Sequence, residues 1–487
     1  MVWKPKFVLC PAVMIGVGLV WWGHVSSNNL LITTPTHNPG ITEPESEGFL
    51  NQGFIELDRD VLQEIRFRQQ RVQLNVLKEG RLEIQIDRRE VMDDKTSILH
   101  GHVFGQPESQ VILSIVGEGR KNSEVMVGMI ALDSDRVFRI DYLGKNIHRL
   151  GEVNPAVGQY SIQGVPEFGQ TRGSDGKPVH WAYQYVQTSS RKGKGNPGYS
   201  VAFERGMCLH SDENPSRLSL RMPRRLFAER EMTAQRQPAG VINTGQSNLG
   251  VTNVKPRKPS SMDSVIDVLV MYTPQAAKKR GGETGIRALA ALAVDTVNQA
   301  FKRSDIQAKM RLVGVEAWSY TLEAHSSLAN GLHAIRDDPK VVELRNKLNA
   351  DLVAGFVGSA AGGAAGVGYL MKNPKGQDNY GYSISAAGYI GGPYYTFTHE
   401  IGHNLGCIHA KDQPGRGVFS YSYGWRFSGK NEKRYCTVMS YRRYSGELQL
   451  PIYSNPRISY KGVPTGNTEA DNARTINQTA KVVAKYR

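Results

Sequence analysis

The chain has 487 residues, with 60 Lys and Arg against 45 Asp and Glu, which gives a formal net charge of +15. It is too long for one ordinary domain, and its composition allows a sizeable hydrophobic core. No DNA- or RNA-binding motif accompanies the basic charge, so we expect no nucleic-acid partner and attribute the charge to solubility and attraction to acidic partners.

The first 27 residues resemble a secretory signal peptide. Lys4 and Lys6 precede an apolar run over residues 7–22, which is the order of the basic and hydrophobic regions in such signals. The run is somewhat short for a membrane-spanning helix, which needs ~20 apolar residues. We therefore expect a secreted or extracytoplasmic protein, in the periplasm or outside the cell. Because the cleavage signal is weak, retention of residues 1–27 as a membrane anchor stays open.

Two regions with different composition follow. Residues 45–164 alternate apolar and polar side chains in short runs, with strand candidates at 82–86, 111–116 and 136–140, and this pattern predicts a small, mostly β domain. Residues 165–262 are rich in Gly, Ser, Pro, Arg and Lys, which predicts a basic flexible linker. The Arg224-Arg225 pair in this linker is either a processing site or a solvated charge pair, and both interpretations stay open.

Residues 263–487 carry longer strand and helix patterns. The predicted strands are 265–272, 310–318, 352–357 and an edge strand at 367–371, and the predicted helices are 284–303, 341–349 and a closing helix that begins near Ala473. Apolar residues in the helices recur every three or four positions, so each helix has one face directed toward a core. The chain as a whole is therefore expected to be α+β, with the β-rich region preceding a mixed domain.

The motif HExxHxxGxxH lies in this last region, from His399 to His409. His399 and His403 are four residues apart, so on a helix they share one face, with Glu400 beside them. Gly406 can end the helix at positive φ and bring His409 back as a third ligand. Three protein ligands leave the fourth tetrahedral position of zinc open for water, as in catalytic zinc sites. We therefore predict one catalytic Zn²⁺, with Glu400 as the general base that activates the water.

The segment Cys436-Thr437-Val438-Met439-Ser440-Tyr441 follows about thirty residues later. Together with the histidine motif it resembles the metzincin clan of zinc endopeptidases. The resemblance implies a twisted mixed sheet with an active-site helix and a C-terminal helix, and it places Met439 in a turn beneath the metal. It also implies that Tyr441 either ligates the metal or stabilises the oxyanion, although a tyrosine that only forms a structural hydrogen bond is an equal alternative.

Two families within this clan share further features with the chain. Residues 100–119 and 138–153 resemble the propeptide of reprolysin-type metalloproteases, and the whole motif set resembles bacterial peptidyl-aspartate metalloendopeptidases. Ala410 departs from the reprolysin pattern, in which an aspartate follows the third histidine. These resemblances imply that residues 45–164 are a propeptide and that the enzyme is made as a latent proenzyme.

The four cysteines are Cys10, Cys208, Cys407 and Cys436. Cys407 and Cys436 belong to two motifs that converge on one metal, and export to an oxidising space favours a disulfide between them over two free thiols. Cys208 would then be the unpaired thiol of the mature chain. It is a candidate latency residue that occupies the open zinc position, and the alternative is an incidental free thiol.

Arg442 and Arg443 follow Tyr441, where the resemblance places the pocket for the substrate residue just after the scissile bond. Arginine pairs well with carboxylates, so we hypothesise a preference for an acidic residue at that position. The alternative is that both arginines are directed to solvent.

The sequence therefore predicts a secreted zinc endopeptidase that acts on proteins or peptides. Two other functions stay open, a surface-anchored protease and a non-catalytic peptide-binding protein with the same fold. The natural substrate and the oligomeric state are not predicted.

Overall fold

A computed structural model describes the protein over residues 49–58, 71–76, 80–117, 123–153, 264–322, 327–359, 364–413, 415–443 and 446–487, with the short pieces 32–33, 62, 65, 155, 171–172, 178–181 and 208–209. The predicted signal peptide, residues 1–27, and most of the predicted linker, 165–262, lie outside these residues.

The N-terminal part forms a nine-stranded antiparallel sheet in the order β1-β2-β9-β8-β7-β6-β5-β4-β3. Its strands are β1 (Ile32–Thr33), β2 (Phe49–Leu57), β3 (Arg71–Val76), β4 (Gly80–Val91), β5 (Thr96–Val103), β6 (Gln106–Val116), β7 (Val125–Ala131), β8 (Val137–Gly144) and β9 (Ile147–Val153). In β3 and in the first half of β4 buried and less buried residues alternate, as expected for strands with one face against a core. In β7 and β8 nearly every residue is buried, so this part of the sheet is covered on both faces. The predicted strands at 82–86 and 111–116 lie within β4 and β6, and the one at 136–140 overlaps β8.

Three short strands are described in the region predicted as a linker. They are β10 (Thr171–Arg172), β11 (Pro178–Trp181) and β12 (Cys208–Leu209). β11 pairs with β10 and with β12, and Trp181 lies opposite Cys208. The region therefore contains some backbone pairing that its composition does not predict.

The C-terminal part contains a five-stranded sheet in the order β14-β13-β15-β17-β16. Its strands are β13 (Ser264–Tyr272), β14 (Ala308–Ala317), β15 (Leu352–Val357), β16 (Gly366–Gly368) and β17 (Tyr382–Ala386). The first four in space are parallel, and the edge strand β16 is antiparallel to β17. β15 is buried along its whole length, which explains its continuous apolar sequence. The predicted edge strand is present but shorter than expected.

The helices of this part are α1 (Pro274–Lys279), α2 (Glu283–Arg303), α3 (Leu328–Asp337), α4 (Pro339–Lys347), α5 (Thr396–Asn404) and α6 (Asn472–Val483). α2, α4, α5 and α6 correspond to predicted helices, whereas α1 and α3 were missed. α5 packs through Phe397 and Ile401 into a core shared with β13, β15, α2 and α6. The C-terminal part is thus a mixed helix-and-sheet domain, as predicted.

Smaller strands complete the C-terminal part. They are β18 (Ile408–Ala410), β19 (Tyr423–Gly424), β20 (Arg426–Ser428), β21 (Arg434–Cys436), β22 (Leu448–Gln449), β23 (Ser459–Tyr460) and β24 (Val463–Pro464). β18 pairs with β19 and β21 pairs with β20 and β22, so the two motif segments are each fixed by backbone pairing. None of the helices in the described part of the chain is long and apolar enough to cross a membrane.

Candidate metal centre

Helix α5 and the turn after it bring three histidines together. His399 and His403 lie on one face of α5, and the helix ends at Asn404 with Leu405 as its C-cap. Gly406 follows at φ 86°, where a side chain would be strained, and a Cβ there would lie 2.5 Å from Val418. The chain can therefore reverse and carry His409 back in β18. This turn is the local reason for the glycine in the motif.

The Nε2 atoms of the three rings converge. Nε2 of His409 lies 3.1 Å from Nε2 of His399 and 3.1 Å from Nε2 of His403. Nitrogen ligands 2.0–2.1 Å from a tetrahedral zinc ion are about 3.3 Å apart, so the spacing fits one such ion. Nδ1 of His399 donates to the carbonyl of Val438 at 2.8 Å, and Nδ1 of His403 donates to that of Cys407 at 2.9 Å. Donation from Nδ1 leaves the Nε2 lone pairs free for a metal.

The environment of these rings keeps them neutral. All three are at most 3% exposed. Burial lowers the pKa of His399 to about 4, and burial together with the neighbouring histidines lowers the pKa values of His403 and His409 well below the usual value. Neutral imidazole is the form that ligates a metal, so the donor set fits a zinc ion at neutral pH. Together the three histidines would supply its protein ligands.

Glu400 belongs to helix α5, and its side chain lies against the edge strand β16. Its side chain is fully buried. A Cβ placed on Gly366 would lie 2.6 Å from Oε1 of Glu400, and one on Gly368 would lie 3.3 Å from Oε2. The two glycines of the edge strand therefore provide the space that the carboxylate occupies. The edge strand was predicted from the sequence, but this role of its glycines was not.

Met439 lies against helix α5, and Tyr441 lies against two of the histidine rings. The sulfur of Met439 lies so close to α5 that a Cβ on Gly402 would be 2.3 Å from it. The ring of Tyr441 lies 4.2 Å from the ring of His409 and 5.5 Å from that of His399, measured between centroids. The structure thus brings both residues of the predicted turn to the metal centre.

Arg442 and Arg443 have different environments. Arg443 is an exposed side chain whose Nη1 lies 2.7 Å from Oδ2 of Asp412. The guanidinium nitrogens of Arg442 are buried. Burial lowers the pKa of Arg442, although the nearby Cys436, Tyr394, Tyr395 and Glu447 counteract this effect. Arg442 thus has its charge inside the domain and Arg443 has its charge at the surface, and the role of either arginine in specificity stays a prediction.

The structure does not contain the disulfide predicted between Cys407 and Cys436. Cys407 and Cys436 are free and buried. The Sγ atom of Cys407 faces the carbonyl of Asn472 at 3.9 Å, and that of Cys436 faces the carbonyl of Ser440 at 3.5 Å. Each thiol therefore packs against a different part of the backbone, although both motifs meet at one metal centre. Burial raises the pKa of both thiols, which keeps them protonated. The side chain of Cys208 lies outside the described residues, so its latency role stays a prediction.

One positioning residue was missed by the sequence analysis. Nδ2 of Asn404, at the end of α5, lies within hydrogen-bond distance of three carbonyls, those of Tyr369 at 3.0 Å, Tyr380 at 3.2 Å and Tyr382 at 2.9 Å. It thereby joins the metal helix to the strands of the sheet edge. The sequence did contain a signal for this role, because Asn404 follows the metal ligand His403 in a helix with an apolar face. A buried amide side chain needs hydrogen-bond partners.

A second group of possible metal ligands contains Glu90, His100 and Asp295, with ligand atoms within 4.8 Å of one another. Glu90 is already paired with Lys309 at 2.9 Å and with Arg88 at 3.0 Å. These two cations neutralise the carboxylate and oppose binding of a third, so we assign no metal to this group.

Comparisons with known proteins found similarity to metallopeptidases. Residues 263–470 match the family model described as metallo-peptidase family M12B, reprolysin-like. The chain is 30% identical over 246 residues to a peptidyl-Asp metalloendopeptidase of Xanthomonas campestris pv. campestris, covering 47% of this chain and 53% of that protein. It is 30% identical over 237 residues to a protein of the same name from Stenotrophomonas maltophilia, covering 47% and 54%. The chain thus spans about half the length of the curated relatives it matches. Among solved structures, metalloproteinase-II from Bacteroides fragilis matches this chain with 10% identity and a TM-score of 0.36. The match covers 87% of this chain and 94% of the other chain.

Proposed function

We propose that this protein is a zinc-dependent endopeptidase that hydrolyses peptide bonds in proteins, and the match of residues 263–470 to the reprolysin-like metallo-peptidase family model supports the proposal. The observation that carries the proposal is the convergence of three neutral imidazole nitrogens beside a buried carboxylate. A purely structural zinc site has four protein ligands, whereas three leave a position for water. The names of the relatives give independent support.

The reaction assigns a separate role to each side chain. When bound, zinc lowers the pKa of its water and polarises the scissile carbonyl. Glu400 takes a proton from the attacking water and passes it to the leaving amine. Tyr441, beside His409, donates a hydrogen bond to the oxygen that gains negative charge. The edge strand β16 pairs with the extended backbone of the substrate, which places the scissile bond next to Glu400.

We further propose an acidic preference just after the scissile bond. Arg442 follows Tyr441 and carries its charge inside the domain, whereas Arg443 is engaged with Asp412 at the surface. The relatives are named for peptidyl-Asp cleavage, which supports the same preference. A peptide-library cleavage profile tests it. Asp or Glu should be enriched after the scissile bond, Arg442→Gln should remove the enrichment, and Arg443→Gln should keep it. A flat profile for the unmodified protein would reject the preference.

Secretion and latency complete the proposal. Residues 1–27 would direct export, and cleavage within 165–262 would activate a latent proenzyme. Support for latency comes from the histidines and Glu400, which are at most 3% exposed in the full chain, so a substrate needs a rearrangement to reach them. Cys208 is the candidate thiol that blocks the metal. An unprocessed Cys208→Ala chain should gain activity, and unchanged activity would exclude this thiol.

The decisive experiment measures zinc content and casein hydrolysis on the same preparation, with and without 1,10-phenanthroline. We expect one zinc per chain and hydrolysis that the chelator abolishes, since the metal supplies the activated water. Glu400→Gln should keep the zinc and lower turnover by about 10²–10⁴-fold, the usual contribution of a general base. A chain that binds zinc but never cleaves, even after processing, would instead be a peptide-binding protein.

A further inference from the structure

Helix α2 lies between the two sheets of the protein. One side of it packs against the five-stranded sheet. Its other side, with Ala288, Ala291 and Leu292, packs against the N-terminal sheet. The residues of that sheet in this contact are apolar and buried; they are Ile98, Ile112, Val116, Val125, Val127, Met129, Val137 and Tyr142. An apolar helix face of this kind is unfavourable in water, so the N-terminal sheet completes the core of the metal-binding domain.

A buried charge cluster crosses the same contact. In β8, Oδ2 of Asp141 lies 2.9 Å from Nη2 of Arg139 and 2.7 Å from Nη2 of Arg149, and both arginines belong to the N-terminal sheet. Its other oxygen lies 2.9 Å from Nη1 of Arg280, which follows α1 in the other domain. All four side chains are at most 4% exposed. Burial opposes ionisation of Asp141, but the three guanidinium groups lower its pKa far below the usual value, so the carboxylate stays charged.

Two arginines of this cluster also hold the segment that leads into the metal helix. Nη1 of Arg139 donates to the carbonyl of Gly388, and Nη2 of Arg280 donates to that of Ala387, each at 2.8 Å. Farther along the segment, Met129 packs closely against Gly392. A Cβ on Gly392 would lie 2.2 Å from the sulfur of Met129. Helix α5 begins at Thr396, directly after this segment, and carries His399 in its first turn.

We propose that the N-terminal sheet positions the metal helix through the Asp141 cluster, which sets the geometry of segment 387–395 and thereby the affinity of the histidines for metal. The proposal rests on the proposed zinc site. If the N-terminal sheet only covered the metal centre, its contacts could be lost without a change in metal affinity. If the sheet positions the metal helix, loss of those contacts weakens metal binding. Asp141, Arg139 and Arg280 are positioning residues, since their contacts reach the backbone before α5 and not the imidazoles.

The test compares full-length variants by two measurements. The zinc dissociation constant is measured by competition with a chromophoric chelator, and hydrogen–deuterium exchange is measured on peptides covering residues 387–404. Arg280→Gln removes the Asp141–Arg280 ion pair between the domains but leaves Asp141 paired with two arginines. Arg280→Lys keeps the charge, and Asp141→Asn removes the centre of the cluster. Asp135→Asn is the matched control, since it breaks the Asp135–Lys433 pair between the same domains, 2.8 Å long but exposed.

We expect Arg280→Gln and Asp141→Asn to weaken zinc binding by about tenfold or more, as loss of an outer positioning contact commonly does. Exchange over residues 387–404 should increase in the same variants. Arg280→Lys should be intermediate, and Asp135→Asn should match the unmodified protein.

The other outcomes of this test contradict either the positioning role or the metal site. A folded Arg280→Gln variant with unchanged zinc affinity and exchange overturns the positioning role. If both charge-removing variants fail to fold, Arg280→Lys decides, and an affinity equal to that of the unmodified protein overturns the proposal. An unmodified chain that binds no zinc refutes the metal site and the proposed function instead.

Discussion

His399 and His403 each direct Nδ1 to a backbone carbonyl and Nε2 to a common point with His409. Both features come from the backbone around the helix, since Val438 belongs to the turn beneath it and Cys407 to the turn after it. The carbonyl contacts select the tautomer that ligates through Nε2. At the residue scale, the metal centre therefore depends on backbone carbonyls that neighbour the histidines in space and not only on the histidines themselves.

Cys407 and Cys436 give a prediction at the same scale. Because both thiols are free, buried and protonated, a mild reductant should leave the thermal midpoint of unfolding unchanged. Thiol alkylation followed by peptide mapping should label neither cysteine in the native protein and both after denaturation. If the thermal midpoint falls with reductant and a Cys407–Cys436 cross-linked peptide is found, the disulfide predicted from the sequence is present after all.

At the element scale, the edge strand β16 must approach helix α5 closely enough to border the carboxylate of Glu400. Gly366→Ala would place a Cβ 2.6 Å from Oε1 of Glu400 and 2.5 Å from Thr396. We expect the carboxylate to be displaced and turnover to fall by about 10²-fold, as a displacement of ~1 Å in an active site can cause. Zinc content should be unchanged, because the histidines are not touched.

The matched control for this substitution is Gly331→Ala, whose Cβ would have its tightest contact with the end of the flexible Ile384 side chain, at 3.0 Å, and an ordinary contact with the Tyr320 ring at 3.5 Å. Its turnover should stay near that of the unmodified protein. Equal activity of the two alanine variants would show that β16 does not constrain Glu400.

Asn404 connects two elements, and its replacement tests that connection. Asn404→Asp removes the amide donor and directs a carboxylate at the carbonyls of Tyr369, Tyr380 and Tyr382. Buried acceptors without donors cost about 1–3 kcal/mol, so we expect a clear fall in the thermal midpoint. Asn346→Asp, at an exposed contact with Arg487, should have little effect. Similar midpoints for the two variants would contradict the role assigned to Asn404.

At the scale of the whole molecule, the Asp141 cluster links stability to pH. The pKa of Asp141 is lower in the folded chain than its usual value, which is about 3.9 in an unfolded chain. Its contribution to stability is therefore complete above pH ~4 and is lost as the pH falls below that value toward the folded pKa. Asp141→Asn should lower stability at pH 7 by about 3–5 kcal/mol, the cost of breaking a buried ion pair.

The measurement is the thermal midpoint between pH 7 and pH 2. The unmodified protein should lose stability below pH ~4 more steeply than Asp141→Asn does, because the variant has no carboxylate to protonate. Asp87→Asn, which alters an exposed pair with His102, serves as the surface control. Parallel curves for the unmodified protein and Asp141→Asn would exclude a linkage through Asp141.

Features that depend on short spacings could be predicted from the sequence alone. The positions of His399, Glu400 and His403 on one helix face, the turn at Gly406 and most of the long strands and helices follow from local periodicity and backbone preference. Contacts between residues far apart in the chain were decided only by the tertiary structure. These include the Asp141–Arg280 pair, the glycines against Glu400, the carbonyls held by Asn404 and the separation of the two thiols. Local patterns encode which face of an element is apolar, but the packing of distant elements decides which atoms meet.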